Sequence, residues 1–201
     1  MKFSDIDFSR IKQMMDNLSD EEKEKLNDMA DNVMNQMKNG NTAEPDQTEE
    51  IDFYEYLHIS SEDYDSLPIL DQLEQASDIE MYYEDNLDSD FSGCILYYCK
   101  AVLILLRKFI HPIYEQELNF QINSQTTSLF SYLQPLMNED NIYQLTNVLS
   151  SEHWMELRNI LQQASIILSK AEYDFISYDE LQSFKSFLLK EKKLLFIANM
   201  K

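Results

Sequence analysis

The chain has 201 residues, 44% of them hydrophobic, with two glycines, four prolines and a formal net charge of −21. That length holds one core of ordinary domain size rather than two large ones. So few glycines exclude phosphate-cradling glycine loops and the turn-rich punctuation of β-folds, and the excess negative charge repels a bare phosphate backbone.

Acidity is concentrated towards the front of the chain. Residues 51–100 hold thirteen Asp and Glu against the single Lys100, whereas residues 151–201 hold seven charges of each sign. A surface of that kind attracts a basic protein and disfavours direct contact with nucleic acid.

In chain order, Ile6, Phe8, Ile11, Met14, Met15 and Leu18 recur at helical intervals behind Ser4. Ser19 and Glu22 then form an S-x-x-E capping box, which opens a second helix bearing Leu26, Met29, Val33 and Met37. These two helices predict an N-terminal hairpin over residues 1–38, with Met14, Met15, Met29, Met34 and Met37 forming its seam or an adaptable docking face. The stretch GNTAEPDQTEE has acids, a proline and no large apolar residue, so residues 39–50 are expected to be an acidic linker.

Residues 51–201 are expected to form an all-α helical bundle. Residues 51–66 alternate aromatics with acids over too short a window to separate strand from helix, and are read as a short helix. Leu70, Leu73, Ile79 and Tyr82 or Tyr83 predict a helix that ends in the Asp- and Ser-rich turn at 84–92. The run CILYYCKAVLILLRKFIHPIY lacks a polar face, so a central helix over about 93–111 is expected, with other helices around it and an end or kink at Pro112. Further helices are predicted at 127–137, with a bend at Pro135, at 140–149, and after Ser151 with Trp154, Leu157, Ile160, Leu161, Ala164 and Leu168 inward. A second capping box, Ser177 with Glu180, opens the last one, whose stripe is Leu181, Phe184, Leu188 and Leu195.

Cys94 and Cys99 lie five apart on the central run, poorly placed for a bridge, and the opening MKFSDIDFSR has carboxylates where a secretory leader would be apolar. Residues 94–106 are too short for a membrane span, which needs about 20 residues. These features together lead us to expect a cytoplasmic protein that makes no use of a membrane.

Three local patterns bear on chemistry. Asp88-Ser89-Asp90-Phe91-Ser92-Gly93-Cys94-Ile95 resembles the first eight positions of an EF-hand calcium loop, but Cys99 stands where that family has its bidentate Glu. It is read as a polar turn in which Asp90 or Ser92 caps the next helix. Glu55-x-x-His58 has the spacing of one di-iron half-site, and no second E-x-x-H supplies the other. Arg107 and His111 resemble the Arg…His pair of the HEPN ribonucleases, themselves helical bundles, with only three intervening residues where that family has more. The resemblance implies RNA cleavage by this pair, whereas the residues alone read as a cationic helix end. No cofactor and no metal are expected.

The leading expectation is a non-enzymatic regulatory protein that engages a basic partner surface, with a nucleic-acid-binding protein among the partners of the right charge. Its candidate contacts are Asp52, Tyr54, Glu55, Tyr56, Glu62, Asp63, Tyr64, Asp65, Glu80, Tyr82, Tyr83, Glu84 and Asp85, where carboxylates stand beside tyrosines suited to Lys and Arg. The alternatives are an adaptor that uses the hairpin and a divergent HEPN-like ribonuclease.

Overall fold

Apolar residues at helical spacing, interrupted by polar caps rather than glycine, fold as expected into helices. The computed structural model describes residues 53–200, so the predicted hairpin at 1–38, the linker at 39–50 and Asp52 lie outside the described residues. The described chain is all-α and holds no strand.

Two short helices, α1 (Phe53–Leu57) and α2 (Ser61–Tyr64), precede α3 (Leu70–Tyr82). Helix α4 (Ser92–Leu105) then buries Cys94, Ile95, Tyr98, Cys99, Ala101, Val102 and Leu105. It runs through a π-helical turn (Leu106–Ile110) into α5 (His111–Leu118). After a loop come α6 (Leu129–Leu136), α7 (Glu139–Leu145) and the long α8 (Ser151–Tyr173). Helix α9 (Tyr178–Lys185), a second π turn (Ser186–Lys190) and α10 (Lys193–Ala198) close the described chain. Helix α4 packs against α3, α8, α9 and α10, which explains its apolar circumference.

Pro112 does not end the helical path. It occupies the first turn of α5, where its missing N–H matters least, and the turn before it widens to a π turn. That widening is the physical alternative to a break, because a proline ring needs room near the carbonyl four residues back.

The helix predicted at 140–149 is shorter than its apolar spacing suggests. Trp154 is fully buried, and its indole N–H donates to the carbonyls of Leu145 (2.9 Å) and Leu149 (3.2 Å). The residues between them form a turn tied to that indole. The stripe read as one terminal helix through Leu195 is also divided. Lys192 adopts a left-handed conformation (φ 57°), which turns the chain so that α10 packs back onto α4.

Left-handed caps are carried here without glycine. At the end of α1, His58 (φ 54°) takes that role: its N–H bonds to the Glu55 carbonyl, and the Ile59 N–H to that of Tyr54, both at 3.0 Å. This is the Schellman pattern. Asn119 (φ 52°) also ends α5 in a left-handed conformation, and there its own N–H and that of Phe120 both turn to the Tyr114 carbonyl.

The capping box read from Ser177 and Glu180 is present in full. The Ser177 hydroxyl accepts from the Glu180 N–H, and the Glu180 carboxylate accepts from the Ser177 N–H at 3.1 Å. At Ile176, just upstream of this box, a distant residue reaches in: Asp90 Oδ1 accepts from the Ser92 hydroxyl (2.7 Å) and from the N–H groups of Ser92 and Ile176 (both 3.1 Å). The turn that resembles a calcium loop is thus a tie between the start of α4 and the segment leading to α9. Among the described residues, no group of three His, Cys, Asp or Glu is arranged to hold a metal ion.

Replacing Ser177 by Ala is predicted to cost about 1 kcal/mol, read from chemical denaturation. A second expectation concerns acid. Hydrogen bonds from Lys170 and Ser177 hold Glu180 below its ordinary range, and those from Ser92 and Ile176 overcome the burial of Asp90 to lower it too. A lowered folded pKa means stabilisation that is complete above the unfolded value and lost as pH falls through the folded one. Melting temperature should therefore fall below about pH 4, and the Asp90→Asn, Glu180→Gln double variant should melt lower at pH 7 with a shallower acid decline.

Candidate functional site

Helix α3 carries the acidic stretch and divides it by face. Leu73, Ala76, Ser77 and Glu80 turn inward, while Asp71, Glu74 and Asp78 turn outward. A helix buries one stripe, so acids at the remaining positions necessarily face water. Glu55, Glu62, Asp63, Asp65, Glu84, Asp85 and Asp88 are exposed as well. Among the described residues, Asp63 is the one exposed carboxylate of this stretch with an ion pair, a loose 3.8 Å contact with Lys192. Lys100, the only Lys or Arg in residues 51–100, sits 4.3 Å over the ring of Tyr97 on its own helix.

The sequence-predicted contacts are not one continuous surface. Tyr64 is 2% exposed and Glu80 is 3% exposed, so both belong to the interior rather than to a contact face. Periodicity over residues 51–66 is too short to show which tyrosine turns inward. Tyr54 is half-buried and donates its hydroxyl to Asp65. Tyr82 is 81% exposed and meets the half-buried Tyr83 edge-on, with ring centroids 5.0 Å apart.

Glu80 is held from a distant part of the chain. Lys185 donates to both its oxygens, at 2.9 and 3.2 Å, and Gln182 donates to Oε1. The Lys185 ammonium also lies 4.7 Å over the Tyr56 ring. Burial, then the Glu80 carboxylate, holds the Tyr56 phenol well above its ordinary pKa, so it stays protonated. Tyr56, Glu80, Tyr178, Gln182, Lys185 and Lys190 line a groove of about 650 Å³ above this pair. Sequence reasoning missed Gln182 and Lys185, because nothing local marks partners more than a hundred residues away.

A second groove, of about 440 Å³, lies on the other side of α3. Gln75, Asp78, Ile79 and Tyr82 form one wall, and Asp90 and Gly93 at the start of α4 form the other, with Tyr83. The spacing of Asp78 and Tyr82, four apart on a helix, is the sequence signal that joins them.

Arg107 and His111 are both engaged in holding the loop after α5. Arg107 Nη2 donates to the carbonyls of Gln125 and Thr127, each at 3.0 Å. Buried His111 meets the Tyr132 hydroxyl through Nδ1 (3.0 Å) and Glu115 through Nε2 (3.3 Å). Thr127 donates to the same Tyr132 hydroxyl at 3.2 Å. Both side chains belong to a polar network that ties down this loop.

The Glu55 and His58 pair straddles the end of α1 rather than sharing a continuous helix. Cys94 and Cys99 are buried and unbridged, and their thiols donate to the carbonyls of Ala76 and Ala164. Burial pushes both thiols up to about 12, with the Glu80 carboxylate adding to the effect at Cys94. Neither supplies thiolate near neutrality. No helix among the described residues is long and apolar enough to cross a membrane.

Comparison with protein-family models, with curated proteins and with solved structures finds no match to this chain.

Removing one member of the buried pair strands the other. Lys185→Ala is predicted to destabilise by about 3–5 kcal/mol in urea denaturation, because Glu80 is left charged and unpaired. Replacing both, as Glu80→Leu with Lys185→Met, should recover most of that loss; a double variant no better than the single one would refute this account of the pair.

Proposed function

We propose that the chain is a non-enzymatic, regulatory protein-binding protein whose acidic, tyrosine-bearing stretch engages a basic partner surface in the cytoplasm. The single observation that carries this reading is the outward row of carboxylates on and around α3, which find almost no internal cation among the described residues. Charges that are not spent within the fold create a field over the surface, and that field steers oppositely charged partners and sets register. Exposed Tyr82 adds an aromatic face beside the acids, suited to Lys and Arg.

A nucleic-acid-binding protein is a fitting partner, because its own basic surface is built to meet phosphates and an array of carboxylates presents charge of the same sign. The roles found for Arg107 and His111 favour loop closure over a HEPN-like cleavage site. An adaptor role for the 1–38 hairpin rests on residues outside those described.

Affinity capture on the immobilised full chain tests the reading. Captured proteins are predicted to be basic and to elute as salt is raised from about 50 to 500 mM, since screening shortens the Debye length well below its physiological value of about 8 Å. Glu62→Gln, Asp63→Asn, Asp65→Asn, Glu84→Gln and Asp85→Asn together should weaken capture roughly tenfold. Partners that resist high salt and bind the neutralised variant equally well would contradict it.

A further inference from the structure

The groove between α3 and the start of α4 has an electrostatic character of one sign. No Lys, Arg or His lines it, whereas Asp78 and Asp90 do. Asp78 is exposed and forms no ion pair among the described residues. Asp90 is spent on Ser92 and Ile176 and contributes charge rather than a coordinating oxygen.

Three further features shape the groove. Helix α3 ends at the Tyr82 and Tyr83 end of this groove; the N–H groups of Tyr83 and Glu84 take the carbonyls of Ile79, Glu80 and Met81, and no basic residue stands in that turn to complement the dipole. The aromatic wall is joined to the core through Tyr83, which is edge-on to both Tyr82 (5.0 Å) and buried Phe91 (5.9 Å). At the base of the groove Gly93 lets α4 approach α3 closely, since a Cβ there would come within 3.3 Å of the Ile79 side chain.

Resting on the reading under Proposed function, we propose that this groove is the seat for one arginine side chain of the basic partner, held between the Tyr82 ring and the Asp78 carboxylate. A guanidinium fits these walls better than an ammonium. It is planar, so it stacks on an aromatic face, and it presents paired N–H donors to a carboxylate; lysine offers a compact, strongly hydrated charge. The occupant is therefore a partner's arginine, with lysine as the discriminating competitor.

The test uses the isotopically labelled full chain, titrated at millimolar concentration with N-acetyl-arginine methylamide, its lysine counterpart and the neutral citrulline counterpart. Saturable amide shifts confined to residues 75–83 and 90–93 are expected for arginine, with binding several-fold weaker for lysine and none for citrulline. Tyr82→Ala and Asp78→Asn alter exposed side chains and should each weaken arginine binding by about threefold to tenfold. Equal shifts with lysine, shifts located elsewhere, no shifts at all, or indifference to both substitutions would overturn the seat. Salt-sensitive capture of basic proteins that persists in the face of such a result would leave the broader reading standing. Loss of that capture would remove the broader reading by itself.

Discussion

The ion pair between Glu80 and Lys185 is the constraint on which the acidic face of α3 depends. Both side chains are nearly inaccessible, at 4% and 11% exposure, and a charge in such a place is tolerated only with a partner and hydrogen bonds to complete it. Gln182 and the Tyr56 ring complete this one. The pair links α3 to α9, and so sets which face of α3 looks inward. Once Glu80 faces Lys185 and Leu73 and Ala76 face α4, Asp71, Glu74 and Asp78 have only solvent before them. The outward acids of α3 thus follow from its inward stripe, Leu73, Ala76, Ser77 and Glu80.

Much of the fold was legible because it rests on local rules. The S-x-x-E box at Ser177, the apolar run from Cys94 and the spacing through Trp154, Leu157, Ile160, Leu161 and Ala164 each name a helix and its buried face. What was not legible depends on tertiary contacts. Left-handed conformations at His58, Asn119 and Lys192 carry no glycine to announce them. The end of α7 is decided by an indole arriving from α8. Pro112 reads as an end or a kink, and the chain continues through a widened turn ahead of it.

The candidate site was legible to the extent that composition is. Exposure of Glu55, Glu62, Glu84 and Asp85 follows from there being too few cations nearby to pair with so many acids. Glu80 and Tyr64 could not be told apart from their neighbours, because the residues that enclose them come from elsewhere in the chain. Asp78 was overlooked for the opposite reason: it joins Tyr82 across one helical turn, and it gains meaning only when Asp90 and Gly93 form the facing wall. The Arg107 and His111 pair shows the limit of a short pattern, since its spacing is compatible with chemistry and its hydrogen bonds serve a loop.

Where a basic partner sits on the chain tests the central claim most directly. Hydrogen–deuterium exchange of the full chain, measured with and without a saturating arginine- and lysine-rich polypeptide at physiological salt, locates that footprint. Slowed exchange over residues 53–93 is the predicted result. Slowing confined to residues 151–200, or no slowing at any position, would contradict an acidic binding face on α1 to α3.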